Sequence, residues 1–287
     1  MGTREKMRKA QGDRNISLDV KFYFRPKQVD GKPAFVWWDK NENIEKAFSK
    51  AISGVYIGSA MRLSAFSPEL GPKGNRYFSR PYWSLDNISL FEPTRSRSKL
   101  VMSGNMEEIV NFLNVHARGN IQKKKLLYLA TEGGLIMVET NISICIDQLK
   151  NFERDTFLDY QMVLQPRTYH AEDENVSDQC KEHVLGSFAL KNPPTYASIS
   201  QGDPVTDELL AKWDVENLLD SFLAWKDFVL KNEAAGAEGS QESDVSDPEA
   251  AEAAEAASQD GTEKAAEQKR TPKEGEGMIG ENDDLPF

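Results

Sequence analysis

Residues 123–138 read Lys-Lys-Lys-Leu-Leu-Tyr-Leu-Ala-Thr-Glu-Gly-Gly-Leu-Ile-Met-Val. Two short apolar runs, Leu126–Ala130 and Leu135–Val138, flank Glu132-Gly133-Gly134, and a glycine-bearing turn between short apolar runs predicts a β-hairpin. Upstream, residues 105–116 predict a helix: Asn105 and Glu108 form a capping-box pair, and Met106, Ile109, Val110 and Leu113 supply an apolar face. Residues 16–25 alternate Ile16, Leu18, Val20, Phe22 and Phe24 with polar partners, which predicts a strand. Val29-Asp30-Gly31-Lys32 then predicts a turn, and Ala34–Trp38 the returning strand.

The remaining segments are read the same way. Ile44, Ala47, Phe48, Ala51, Ile52 and Val55 recur at helical spacing, so residues 43–56 are expected to form an amphipathic helix capped by Asn41 or Asn43. Residues 66–82 form a loop rich in Pro, Gly and Arg, and residues 83–91 a strand. Residues 142–147 and 157–164 read as strands, with part of a helix as the alternative for the first. Residues 166–204 read as irregular and acidic, and residues 206–231 as one long helix or two with a restart at Asp214. Strands and helices mix without regular βα alternation, so the expected class is α+β over residues 16–232, with a mixed or antiparallel sheet. An OB-type barrel commonly binds single strands. Here it would need large helical additions, because the segment is about twice the length of one barrel.

Charge is unevenly spread. The chain of 287 residues carries a net −11. Residues 233–287 hold 16 acidic and 4 basic residues, residues 126–232 hold 18 and 8, and residues 1–125 hold 12 and 23. The low isoelectric point therefore hides a basic N-terminal part that suits a polyanionic partner. Residues 1–15 are expected to be a flexible basic arm, lacking the apolar stretch of a signal peptide. No apolar run is long enough to cross a membrane as a helix. The two cysteines, Cys145 and Cys180, make no disulfide framework, so a cytoplasmic setting is expected.

Catalytic motifs are missing: there is no phosphate-binding GxxxxGK[ST], no HExxH and no GxSxG. Cys180 and His183 with His170 offer half of a zinc set without a second ligand pair. A binding protein with neither enzymatic activity nor cofactor is expected.

From Asn232 onward Ala, Glu, Ser and Gly dominate, and such a segment buries too little apolar surface to offset its ordering entropy. Residues 233–280 are therefore expected to be a disordered acidic linker. The final stretch, Glu281-Asn282-Asp283-Asp284-Leu285-Pro286-Phe287, sets carboxylates before an apolar tip. It resembles the C-terminal tail of bacterial single-stranded DNA-binding proteins, which ends Asp-Asp-(Leu/Ile)-Pro-Phe. Asp283, Asp284, Leu285, Pro286 and Phe287 match position by position, with Asn282 where a third acid is common. The resemblance covers only the tip and its linker. It implies capture by DNA-processing proteins: exonucleases, primosomal helicases, recombination mediators and a clamp-loader subunit. It also implies an ssDNA-coating core, and a dimer or tetramer as a possible assembly.

Single strands need a positive track for their phosphates and flat rings for their bases. Residues 20–93 hold 14 of the 27 aromatic residues, interleaved with cations. The candidate ssDNA contacts are Lys21, Tyr23, Arg25, Trp37, Trp38, Lys73, Arg76, Tyr77, Arg80, Trp83, Arg95, Arg97, Lys123, Lys124 and Lys125. The competing reading assigns rings to a core and lysine runs to solvated surface. Phe22, Phe24 and Phe48 are read as core. Trp37 and Trp38, adjacent on one strand, must face opposite ways, so at most one is core. Two alternatives to coating stand. One is a phage or mobile-element adaptor or decoy that captures host enzymes through the tail. The other is an annealing recombination mediator.

Overall fold

The computed structural model describes residues 17–67, 70, 75–93, 98–117, 121–155, 159–169 and 194–235. The basic arm, Lys73, Arg95, Arg97, His170, Cys180, His183, the linker beyond residue 235 and the tip lie outside the described residues. In chain order the strands are β1 (Phe22–Val29), β2 (Lys32–Asp39), β3 (Ile44–Phe48), β4 (Ile52–Ser67), β5 (Asn75–Ser79), β6 (Ile88–Pro93) and β7 (Ser98–Gly104). Helix α1 (Met106–His116) follows, then β8 (Ile121–Thr131), β9 (Gly134–Asn141) and helix α2 (Ile142–Asp155). The chain continues through β10 (Tyr160–Thr168), β11 (Thr195–Pro204), α3 (Asp207–Lys212) and α4 (Val215–Ala235).

The predicted hairpin is β8–β9, in register from Lys124 opposite Asn141 to Thr131 opposite Gly134. It lies mid-sheet. Strand order is β3-β2-β1-β9-β8-β4-β5-β6-β7, and β10 pairs with the start of β4 and carries β11. Every described pairing is antiparallel except β1 with β9. The sheet is therefore open and mixed, with a few helices packed on it.

The hairpin's continuous apolar runs reflect burial on both faces. Leu127, Leu129, Ile136 and Val138 point into a core shared with Phe24, Phe35, Ile52, Met162, Leu164, Ile199 and α2's Cys145, Leu149 and Phe152. Leu126, Tyr128, Leu135 and Met137 point the other way, under α4's Phe222. Thr140 Oγ1 ties β9 to β11, accepting from Ala197 N at 3.0 Å and donating to its carbonyl at 3.2 Å. A separate core lies beneath α1, where Leu63, Ala65, Tyr77, Tyr82 and Leu90 meet Ile109 and Leu113. The capping box of α1 forms: Glu108 N donates to Asn105 Oδ1 and Asn105 N to Glu108 Oε2.

Four expectations are corrected. Residues 43–56 form no helix: Asn43 turns the chain at φ 55°, β3 pairs with β2, and β4 is held between β8 and β10. Sheet pairing overrides helical spacing, and Gly54 weakens a helix there. A Cβ on Gly54 would stand 2.8 Å from the Ala130 carbonyl oxygen, so only glycine allows β4 this close to β8. Residues 166–204 are not wholly irregular: β10 runs to Thr168, and β11 begins at Thr195, its buried Ala197 and Ile199 alternating with serines. Residues 66–82 are not a loop throughout, because β5 pairs there with β4 and β6; residues 142–147 take their helical alternative, in α2. The strand expected from Trp83 starts only at Ile88, because Ser84 Oγ and Asp86 close a turn before it. The terminal helices divide as one alternative anticipated, at Asp214 with φ 53°. Helix α4 runs to Ala235, three residues into the expected linker.

Candidate nucleic-acid interface

Strand parity places a row of cations and rings on the sheet face that α4 partly covers. Trp38 is two residues from Val36, which pairs with Arg25, so Trp38 and Arg25 share this face. Tyr23 shares it too, and Arg25 lies 5.8 Å over the Tyr23 ring. On β9 Glu139 accepts the Tyr23 hydroxyl hydrogen bond. On β8 Lys124 pairs with Glu139 at 3.1 Å. On β4 Arg62 stands opposite Lys124, its guanidinium 5.4 Å over the Phe78 ring of β5. Phe78 stacks on Phe91 of β6 with centroids 6.0 Å apart, and Arg80 lies 4.8 Å over Phe91. The row crosses seven adjacent strands, about 29 Å at the usual strand spacing.

Its electrostatics follow from burial. Arg62 is only 3% exposed, and a buried guanidinium needs a countercharge. Glu139 provides it. Burial pushes the Glu139 carboxyl upward, but Lys124, the Tyr23 hydrogen bond and Arg62 outweigh that and hold it at about 2. Burial, and then Glu139, raise the Tyr23 phenol well above its ordinary value, so it stays a donor. At the β3 edge Glu45 pairs with Arg25 at 3.4 Å. Glu139 and Glu45 thus stand among Arg25, Lys124, Arg62 and Arg80 on this face.

At the far end of β4 the face is more open. Phe66 is 37% exposed and pairs across strands with Arg76. Arg76 Nη1 donates to Gln122 Oε1 at 3.2 Å.

The sequence candidates separate on this geometry. Arg25, Trp38, Arg76, Arg80 and Lys124 join the face, and the Trp38 indole N–H is buried there without a hydrogen-bond partner. Four rings are taken up by packing. Trp37 packs edge-on against Phe24 and Phe48, and Tyr77 against Phe112. Tyr23 lies under the α4 side of the sheet. Trp83 donates its indole N–H to the Ser59 carbonyl at 2.7 Å and packs against Trp225. The lysine run divides by parity: Lys124 faces the row, whereas Lys123 and Lys125 face the other side. There burial lowers the Lys125 pKa against the pull of Glu153. Lys21 is exposed and paired with Asp19 at 2.7 Å.

The sequence candidates omit Arg62, Phe66, Phe78, Phe91 and Glu139. The signal for two of them is present in Ala60-Met61-Arg62-Leu63-Ser64-Ala65-Phe66, where period-two reading puts Arg62 and Phe66 on one face and Met61, Leu63 and Ala65 on the other. Among the described residues no three His, Cys, Asp or Glu side chains gather as a metal cage, and no helix is long and apolar enough to cross a membrane. No family model, curated protein or solved structure matches the chain.

Proposed function

We propose that this chain binds single-stranded DNA along the cation-and-ring face and recruits DNA-processing proteins through Asp283–Phe287, without catalysing a reaction itself. The observation that carries the reading is that Arg25, Lys124, Arg80 and Arg76, all at least partly exposed, share one sheet face with the rings of Trp38 and Phe66. Cations serve the phosphates of any sequence and rings serve any base, which suits coating. The C-terminal tip supports recruitment by its match to the tails of single-stranded DNA-binding proteins. An OB-like barrel remains part of this proposal only for the region where β1, β2, β4, β8, β9, β10 and β11 share one core. A cytoplasmic setting belongs to the same reading.

The test is fluorescence anisotropy of the full chain with a labelled dT oligonucleotide over a salt series. Binding that weakens steeply with salt supports coating. No binding at low salt overturns it and leaves the adaptor or decoy reading. One observation favours that second reading: Tyr23, Trp37, Tyr77 and Trp83 are committed to packing, so fewer rings than expected remain for bases. Capture of a tail-binding exonuclease by the full chain, lost on Phe287→Ala, tests the tip separately. Acceleration of strand pairing beyond binding would mark the annealing alternative.

A further inference from the structure

Resting on the ssDNA reading, we infer that Phe66 is a base-stacking platform and that Arg76, positioned by Gln122, is its phosphate clamp. Phe78 and Phe91 on the same face are buried beneath guanidinium groups. Phe66, by contrast, keeps more than a third of its surface exposed in a sheet whose other described phenylalanines are buried or half-buried. A solvated phenyl ring forgoes the stabilisation that removal from water would give, which a covering group can supply. Its cross-strand partner is Arg76, an exposed guanidinium held by the Gln122 amide oxygen at 3.2 Å. A hydrogen-bonded arginine loses less freedom when it grips a phosphate oxygen. Ring, fork and amide come from β4, β5 and β8, three adjacent strands, so the sheet sets their spacing. Phe66 also lies on the same side of β4 as Arg62, two alternate positions away, about 13 Å at the usual rise. It therefore adds an exposed ring to the same face, along β4 from Arg62. A nucleobase on Phe66, with its own phosphate on Arg76, would cover the ring.

The experiment compares the full chain with Phe66→Leu, Phe66→Ala and Phe66→Trp on two labelled strands, oligo-dT and an abasic phosphodiester of equal length. Phe66→Leu keeps apolar bulk and guards against misfolding of the alanine variant. The expected result is an affinity loss on dT of order 10-fold for Leu and Ala, with the abasic strand unchanged within about twofold. Phe66→Trp retains dT affinity, and the added indole fluorescence is quenched by dT but not by the abasic strand. Wild-type binding to dT that Phe66→Leu leaves intact overturns the inference while sparing the ssDNA reading, as does an equal loss on both strands. Failure of the wild type to bind either strand overturns both.

Discussion

The hydroxyl of Tyr23 donates to the carboxylate of Glu139 across the only parallel pairing among the described strands, joining residues 116 apart in sequence. The bond locks the first strand of the domain to the central hairpin. It also completes the set of groups that keeps Glu139 ionised beside Arg62 and Lys124.

That set makes stability depend on acid. The folded pKa of Glu139 is near 2 against an ordinary 4.5. Its contribution is therefore fully present above about pH 4.5 and is lost as pH falls toward 2, with an upper scale of about 3 kcal/mol. Urea midpoints measured from pH 7 to pH 2.5 should fall more steeply for the wild type than for Glu139→Gln. At pH 7 the variant should be less stable, because Arg62 loses its countercharge. Parallel pH profiles for the two proteins would refute the assignment.

Gly58 sits at the bulge of β4 directly beneath Phe222. A Cβ there would stand 2.7 Å from Phe222 Cε1 and 3.0 Å from Cζ. Gly58→Ala should cost about 1–3 kcal/mol by forcing the ring and α4 outward. In a Phe222→Leu background the added cost of Gly58→Ala should shrink, since the clashing ring edge is gone. Thermal melts of the four proteins in the cycle measure the coupling, and strict additivity would contradict a direct clash.

Arg76→Ala and Arg80→Ala should each lower the slope of log affinity for oligo-dT against log salt by roughly 0.7, the single-strand value per phosphate contact. Lys50→Ala, an exposed residue between β3 and β4, should leave the slope unchanged. Identical slopes in all three variants would move the phosphate track elsewhere.

Residues 236–287 hold 15 acidic and 4 basic residues, a charge opposite to that of the proposed binding face. Removing them while keeping α4 complete to Ala235 should raise affinity for oligo-dT at low salt, with the difference vanishing at high salt as screening takes over. Anisotropy titrations at low and high ionic strength check this, and equal affinities at low salt would count against competition by the tail.

Local chemistry makes several elements legible in the sequence. The hairpin at Glu132-Gly133-Gly134, the capping box of Asn105 and Glu108, the turn at Asp30-Gly31 and the helix restart at Asp214 all depend on residues within a few positions of one another. Residues 43–56 mislead because their apolar spacing fits a helix as well as it fits two strands. The choice falls to partners far along the chain, β8 and β10, which no local pattern names. The rings mislead for a similar reason: an aromatic residue looks alike in sequence whether it stacks on a neighbour or faces solvent.

The amino-acid sequence by itself determined where charge and rings concentrate, where the composition turns acidic and poor in large apolar side chains, and which segments turn, because these follow from composition and short-range geometry. Only the tertiary structure decided which side chains share a face. Arg62, Lys124 and Glu139 meet across β4, β8 and β9 because strand register brings residues tens of positions apart into one charged cluster, and alternation then sends Lys123 and Lys125 to the opposite side. Register is set by which apolar faces can be buried together, a property of the whole sheet rather than of any one strand.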